Sequence, residues 1–159
     1  MADLQIWLDA MEERYYELKS LLTTGVGSKL NFKIESLDYL EAYLLENFST
    51  INDFLEAEKT TMLRDKMARY FGETARLNID TCSWYIDQTN KKNIYYNIPV
   101  IYCYSPDQLV DSPYHKITAA IDRRKGTFLK ESIIRYKRRS DENNHLPIFD
   151  NPYTMPVYY

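Results

Sequence analysis

Glycine is scarce in this chain, and its scarcity argues against several classes of phosphate-binding protein. The 159 residues include 4 glycines, which form neither a G-x-G-x-x-G nor a G-x-x-x-x-G-K-[ST] motif. Both motifs need glycine because the backbone must approach a phosphate closely in conformations that side chains disfavour. We therefore expect neither a dinucleotide-binding fold nor a P-loop.

Histidine and cysteine are equally scarce, with 2 of each. His115 and His145 are thirty residues apart, so they lack the one-turn spacing of a helical zinc hydrolase. A zinc site that also used Cys82 and Cys103 would need a chance convergence in the fold. A cysteine nucleophile would need His115 nearby and a lowered thiol pKa, whereas the predicted strand positions favour inert, buried thiols. We expect no metal, no cofactor and no catalytic residue.

Two cysteines are also too few for a disulfide framework. They would lie close together if their strands pair, but we expect a reduced pair, as is usual in the cytoplasm. The first residues, Met-Ala-Asp, include an acidic side chain and no basic one, and they lead into an amphipathic stretch rather than an apolar one. No run is long and apolar enough to span a bilayer. The sequence thus predicts a cytoplasmic protein without a transmembrane segment.

Charge is unevenly distributed along the chain, although the formal net charge is only -3. Residues 1–58 contain twelve acidic and four basic side chains, whereas residues 115–139 contain nine Lys or Arg and two acidic side chains. Such polarity indicates either two oppositely charged faces or two ends that neutralise each other in the fold. The amino-acid sequence alone leaves both interpretations open.

Helical periodicity dominates both ends of the chain. Apolar residues spaced by three and four predict an amphipathic helix over Leu4–Leu22. A second helix is expected to be capped by Ser36, and a third to run from about 53 to 78 after a cap at Thr50 or Asn52. Helical spacing returns after Pro113, with Gly126 as the expected break between two helices.

The middle of the chain has the period of strands. Residues 84–87 predict a strand, 88–93 a polar turn, and 94–104 one long strand or two short ones. The predicted fold is therefore α+β, with N-terminal helices, a small antiparallel sheet and C-terminal helices in a single domain of residues 1–146. Residues 147–159 contain three prolines and predict an extended Pro/Tyr-rich tail.

Gly72 interrupts the predicted third helix at a cost of about 1 kcal/mol relative to alanine. Glycine at such a position indicates that a strand or a neighbouring helix packs closely against the backbone. We expect the next residue, Glu73, to form a structural hydrogen bond or an ion pair with Arg69 or Arg76 rather than to act in catalysis.

Three short stretches together resemble a known group of proteins: Tyr70-Phe-Gly-Glu73, the strand of Trp84 eleven residues later, and Ser112-Pro-Tyr-His-Lys-Ile117. The group consists of small bacterial α+β domains of uncharacterised function, in which a helix reading roughly Y-x-G-E precedes a Trp-containing strand. Some members look like immunity proteins, which bind and neutralise one cognate toxin. The resemblance covers about residues 50–135 and implies structural roles for the glycine, the glutamate and the tryptophan.

We therefore expect a non-enzymatic protein-binding module, an immunity-type inhibitor that occludes the surface of a toxin and exists as a monomer or homodimer. An acidic patch would complement a basic cleft and contribute on-rate and specificity more than affinity. The candidate partner-binding residues are Asp9, Glu12, Glu13, Glu17, Asp38 and Glu41.

The basic segment between Arg123 and Arg139 supports an alternative function. A regulatory or adaptor protein would use these cations to contact nucleic acid or anionic lipid. The acidic chain as a whole, and the lack of any accompanying recognition motif, make nucleic acid the less favoured partner. An enzyme of unrecognised type would instead require a pocket of titratable groups with displaced pKa values.

Overall fold

The computed structural model describes residues 3–22, 25–103 and 109–143, of which 142 and 143 are described by their backbone alone. The predicted tail at 147–159, and His145, lie outside these ranges. Seven helices, one 3₁₀ turn and three strands follow one another in the described residues: α1 (Leu4–Asp9), α2 (Met11–Leu21), the 3₁₀ turn (Gly27–Lys29), α3 (Ser36–Asn47), α4 (Ile51–Thr61), α5 (Leu63–Asn78), β1 (Cys82–Tyr85), β2 (Val100–Cys103), β3 (Leu109–Asp111), α6 (Pro113–Arg123) and α7 (Phe128–Asn143).

The predicted α+β class is confirmed, with helices at both ends of one domain and the antiparallel sheet in order β1-β2-β3 between them. None of the helices in the described ranges is long and apolar enough to cross a membrane.

The first predicted helix is broken at Ala10 into α1 and α2. Asp3 caps α1 by accepting a hydrogen bond from the Gln5 backbone N–H at 2.8 Å. The two helices pack against different parts of the protein. Helix α2 buries Leu18 along α5, whereas Trp7 of α1 contacts Trp84 of the sheet. Apolar spacing of three and four continues through Ala10, so the pattern alone did not reveal the break.

The long helix predicted from 53 to 78 is also two helices. Met62 adopts a left-handed conformation with φ 52°, which ends α4 and begins α5. Thr50 caps α4 as expected: its hydroxyl accepts the Asp53 N–H, and the Asp53 carboxylate accepts the Thr50 N–H, both at 3.1 Å.

The predicted cap at Ser36 is wrong. Ser36 is the first residue of α3, and its hydroxyl donates to the Lys33 carbonyl and lies 2.5 Å from the Tyr70 hydroxyl. The side chain is thus used to join α3 to α5 rather than to satisfy the N–H groups of its own helix.

The register of the sheet determines the state of the cysteines. Cys82 lies directly opposite Cys103 in the antiparallel β1–β2 pair, and the two form a disulfide. The expectation of a reduced pair is therefore wrong, because residues opposite each other on neighbouring strands bring their side chains together. Strand β3 was not predicted, since three residues are too few to establish a period.

A polar turn follows β1, as expected, and Asp87 organises it. One carboxylate oxygen accepts the backbone N–H groups of Thr89 and Asn90, and the other accepts the Asn93 side-chain amide. These hydrogen bonds, that of Asn93 first, lower the pKa of Asp87 to about 2.

The close packing predicted at Gly72 is present. Gly72 lies in the central helix α5, which packs against both the sheet and the neighbouring helices. A Cβ placed on Gly72 would lie 2.1 Å from Cη2 of Trp84, so only glycine fits. The Trp84 indole N–H donates to Oε2 of Glu73 at 3.0 Å, and Oε1 of Glu73 accepts from Nε of Arg76 at 2.9 Å. Arg69, the other basic residue considered for Glu73, pairs with Asp65 instead.

The two C-terminal helices are separated as predicted. Ser112 caps α6 with Pro113 as its first residue, and Gly126 lies in the connection to α7 with φ +80°. Glycine adopts this left-handed conformation without strain, which explains its position between the two helices.

Candidate protein-binding surface

The acidic residues predicted on the first helix lie at the surface of α1 and α2. Asp9, Glu12 and Glu13 are exposed, and within the described ranges none of them forms an ion pair. Asp9 is the last residue of α1, and Glu12 and Glu13 lie in the first turn of α2, so the three carboxylates flank the break at Ala10. Here we call Asp9, Glu12, Glu13 and Glu17 the acidic surface.

An open groove of about 640 Å³ adjoins the acidic surface, between α2 and α5. It is lined by Glu13, Tyr16, Glu17, Ser20, Leu21 and Lys66. Tyr16 is 57% exposed, and it lies outside the apolar stripe that α2 turns to the core. An exposed tyrosine beside the carboxylate of Glu13 combines apolar contact area with a polar tip, as protein-binding surfaces often do.

Glu17 differs from the other acidic residues because it is partly neutralised. Its Oε2 accepts from Nη1 of Arg14 at 2.7 Å and lies 3.2 Å from Nζ of Lys66. The hydrogen bonds from Arg14 and Lys66 lower the pKa of Glu17. Glu17 therefore tethers α2 to α5 at the edge of the groove, and the freely available charge belongs to its three neighbours.

The remaining two candidates, Asp38 and Glu41, are not part of this surface. Both belong to α3 and point towards α7, where Asp38 forms an ion pair with Lys130. Glu41 is 0% exposed, and its Oε2 accepts the backbone N–H of Leu129 at 2.8 Å, in the first turn of α7. Glu41 thus accepts a hydrogen bond at the N-terminus of α7 and is no surface residue, so its assignment to a partner-binding patch is wrong.

Burial raises the pKa of Glu41, against the opposing effect of the backbone N–H groups of Leu129, Phe128 and Gly126. The folded state therefore binds a proton at this carboxyl more readily than the unfolded state. Its contribution to the free energy of unfolding is present at low pH and is lost as pH rises from the ordinary value of 4.5 through the raised pKa.

Glu41→Gln, which mimics the protonated carboxyl, should therefore match the wild type in stability at about pH 4 and exceed it increasingly towards pH 7. Urea unfolding across this pH range measures the difference. Glu46→Gln on the exposed side of the same helix is the matched control and should show no such trend. A variant that falls below the wild type as pH rises would contradict the assignment.

Part of the basic C-terminal segment is used inside the fold. Lys130 pairs with Asp38, and Lys125 lies 3.7 Å from Glu131. Arg124 donates to the carbonyls of Leu45 and Phe48 at 2.8 and 3.0 Å, which satisfies acceptors at the end of α3. Lys130 thus pairs with an acidic side chain of α3 and Arg124 binds its C-terminal carbonyls, whereas Asp9, Glu12 and Glu13 form no ion pair in the described ranges.

Helix α1 is attached to the body by a cluster that sequence reasoning missed. The Trp7 ring contacts the Trp84 ring edge-on, with centroids 4.6 Å apart. The Arg69 guanidinium lies 3.9 Å from the Trp7 ring centroid and donates to the Trp7 carbonyl at 2.5 Å. Asp65 orients the guanidinium and also accepts the hydroxyl of Tyr114. The i, i+4 spacing of Asp65 and Arg69 was visible in the sequence, but their contact with α1 was not.

The groups considered for chemistry are dispersed. His115 is exposed, with its ring 5.8 Å from that of Tyr95, and the disulfide leaves neither Cys82 nor Cys103 as a thiol. In the described part of the chain, no group of three or more His, Cys, Asp or Glu side chains is placed to hold a metal ion. Burial raises the pKa of Tyr136, whose hydroxyl donates to Asp111 in a structural contact.

No family model, curated protein or solved structure matches this chain. The resemblance to immunity-type domains therefore stays a prediction.

Proposed function

We propose that this protein is a non-enzymatic binding module, an immunity-type inhibitor that neutralises a cognate bacterial toxin by occluding its surface. The observation that supports the proposal is the acidic surface, whose residues Asp9, Glu12 and Glu13 are exposed and not paired with bases in the described chain. Asp9 accepts a hydrogen bond from the neutral Gln5 side chain at 2.7 Å, which leaves its charge in place. Exposed carboxylates whose charge is not neutralised by a base are available to a basic cleft on another protein.

The acidic surface would act in two stages. Its charge accelerates encounter with a basic partner and sets the orientation of docking. Tyr16, at the rim of the groove, then supplies apolar contact area that retains the partner. The inhibitor needs no reacting group, because it prevents substrate from reaching the toxin.

As part of this proposal, the inhibitor acts in the cytoplasm of a bacterial cell, as a monomer or a homodimer. A disulfide is unusual in that reducing compartment, where such bonds are mostly transient or redox-sensing. Sedimentation of the free protein distinguishes the two oligomeric states.

Reversal of charge at the acidic surface tests the proposal. Glu12→Lys/Glu13→Lys should lower the association rate with the toxin domain encoded beside this gene by about tenfold or more at low salt, and the difference should shrink as salt screens the charges. Stopped-flow or surface plasmon resonance measures the rate. Glu17 is left unchanged because its ion pairs with Arg14 and Lys66 would confound the result.

The matched control is Glu35→Lys/Glu46→Lys, which reverses the same number of exposed acidic residues outside the acidic surface. This control should retain most of the association rate. If both double variants lower the association rate equally, the rate depends on the net charge of the protein and not on the acidic surface. A neighbouring toxin that neither binds this protein nor is neutralised on coexpression would refute the proposal itself.

The alternative, a regulatory protein that contacts nucleic acid or anionic lipid, is less favoured by the internal contacts of its basic segment. Lys137 and Arg138 are exposed on α7, but Arg124, Lys125 and Lys130 already bind groups of this chain. A gel shift with steep salt dependence would support this alternative.

A further inference from the structure

The disulfide is buried and lies on the face of the sheet that packs against the core. Cys82 is 5% exposed and Cys103 is 2% exposed. Trp84 is two residues beyond Cys82 in β1, so both side chains point to the same face of the sheet. The position of the sulfur atoms and the position of the indole are therefore set by the same short strand.

Trp84 has little room to move on its own. Its ring occupies the space where Gly72 lacks a side chain, and its N–H is held by Glu73. Its edge-on contact with Trp7 is the point where the sheet meets α1. Because the interior is closely packed, a shift of β1 is transmitted to Trp7 rather than absorbed in a void.

Helix α1 depends strongly on this contact. It has six residues, and none of them is fully buried. Trp7 supplies its contacts with Trp84 and with Arg69, including the hydrogen bond from the guanidinium to its carbonyl. Leu4 and Leu8 also pack against the core, but both are only half-buried. A six-residue helix without a fully buried side chain belongs to the part of a protein that opens at low free-energy cost.

We propose that the redox state of Cys82 and Cys103 controls the docking of α1 on the body of the protein. With the disulfide intact, β1 holds Trp84 against Trp7 and α1 is docked. With the disulfide reduced, β1 loses its covalent link to β2 and is held in place by non-covalent contacts alone, which allows it to shift. The resulting shift of β1 moves Trp84 and releases α1.

The reductant for this step is a thiol, such as glutathione or a protein dithiol. A thiolate attacks one sulfur to form a mixed disulfide, and the second thiol equivalent resolves it. The protein gains two electrons and two protons as two thiols, and the reductant leaves as its own disulfide. Docking of α1 is a property of the free protein, so the inference stands independently of the proposed partner.

The two tryptophans of the chain make the experiment specific, because Trp7 and Trp84 are the two residues in the contact. Protein labelled with 5-fluorotryptophan should give two ¹⁹F resonances, which Trp7→Phe assigns. On reduction with dithiothreitol, we expect the Trp7 resonance to move towards its position in urea-unfolded protein, while the far-ultraviolet circular dichroism stays close to that of the oxidised protein. A mass increase of about 2 Da verifies that two thiols have formed.

The control is Cys82→Ala/Cys103→Ala, which removes the redox couple. Its Trp7 resonance should not respond to dithiothreitol, and any response would show that the reductant acts elsewhere. Three results would overturn the proposal: cysteines that remain unlinked by mass after oxidation, a Trp7 resonance identical in both redox states, or unfolding of the whole domain on reduction.

Discussion

Gly72→Ala is expected to destabilise the protein by about 2–3 kcal/mol, although alanine favours an α-helix by about 1 kcal/mol over glycine. The added Cβ would lie 2.1 Å from Cη2 and 2.3 Å from Cζ2 of Trp84, distances at which the indole must move. Movement would also weaken the hydrogen bond from the indole to Glu73 and the contact with Trp7. Urea unfolding followed by circular dichroism measures the loss.

A double-mutant cycle separates this clash from other effects. In Trp84→Phe, the smaller ring leaves room near Gly72, so adding Gly72→Ala to this variant should cost less than it does in the wild type. Leu77→Ala, at an exposed position of the same helix, is the control for helix propensity and should change stability by about 0.5 kcal/mol or less. A Gly72→Ala protein as stable as the wild type would contradict the packing described for this site.

The close packing at Gly72 was predictable because its signal, a glycine inside a helical pattern, is local in the sequence. A glycine inside an otherwise helical pattern costs stability, so its presence indicates a close contact even without knowledge of the partner. The ion pair of Glu73 with Arg76 follows from i, i+3 spacing in the same way. The α+β class was predicted from the spacing of apolar residues, which has a period of about 3.6 in helices and 2 in strands. This spacing is also a local property of the sequence.

Other features were not predictable because they depend on contacts distant in sequence. The spacing of Glu41 from Leu37 and Leu44 places it on the buried face of α3, but its partner, the backbone N–H of Leu129 in α7, lies eighty-eight residues later. The left-handed residue Met62 interrupts a pattern that continues without a break, and methionine gives no signal for such a conformation. The break at Ala10 likewise reflects what α1 and α2 each pack against.

The candidate binding surface was predicted in part, for a physical reason. Asp9, Glu12 and Glu13 lie opposite the apolar stripe of an amphipathic pattern, and such residues are exposed wherever the helix docks. Tyr16 lies outside the same stripe and was identifiable by the same argument. The role of Lys66 was not, because its position at the groove depends on how α5 packs against α2.

Cys82→Ala/Cys103→Ala is expected to lower the free energy of unfolding by about 3 kcal/mol, because the disulfide closes a loop between residues separated by 21 positions. Loop closure restricts the unfolded chain, so the loss should appear in urea unfolding even where the native contacts remain. Wild-type protein in dithiothreitol should lose a similar amount, and the double variant should be insensitive to the reductant. If the oxidised wild type has no higher free energy of unfolding than the reduced wild type or the double variant, the cross-link is contradicted. The proposed control of α1 by the disulfide is then contradicted as well.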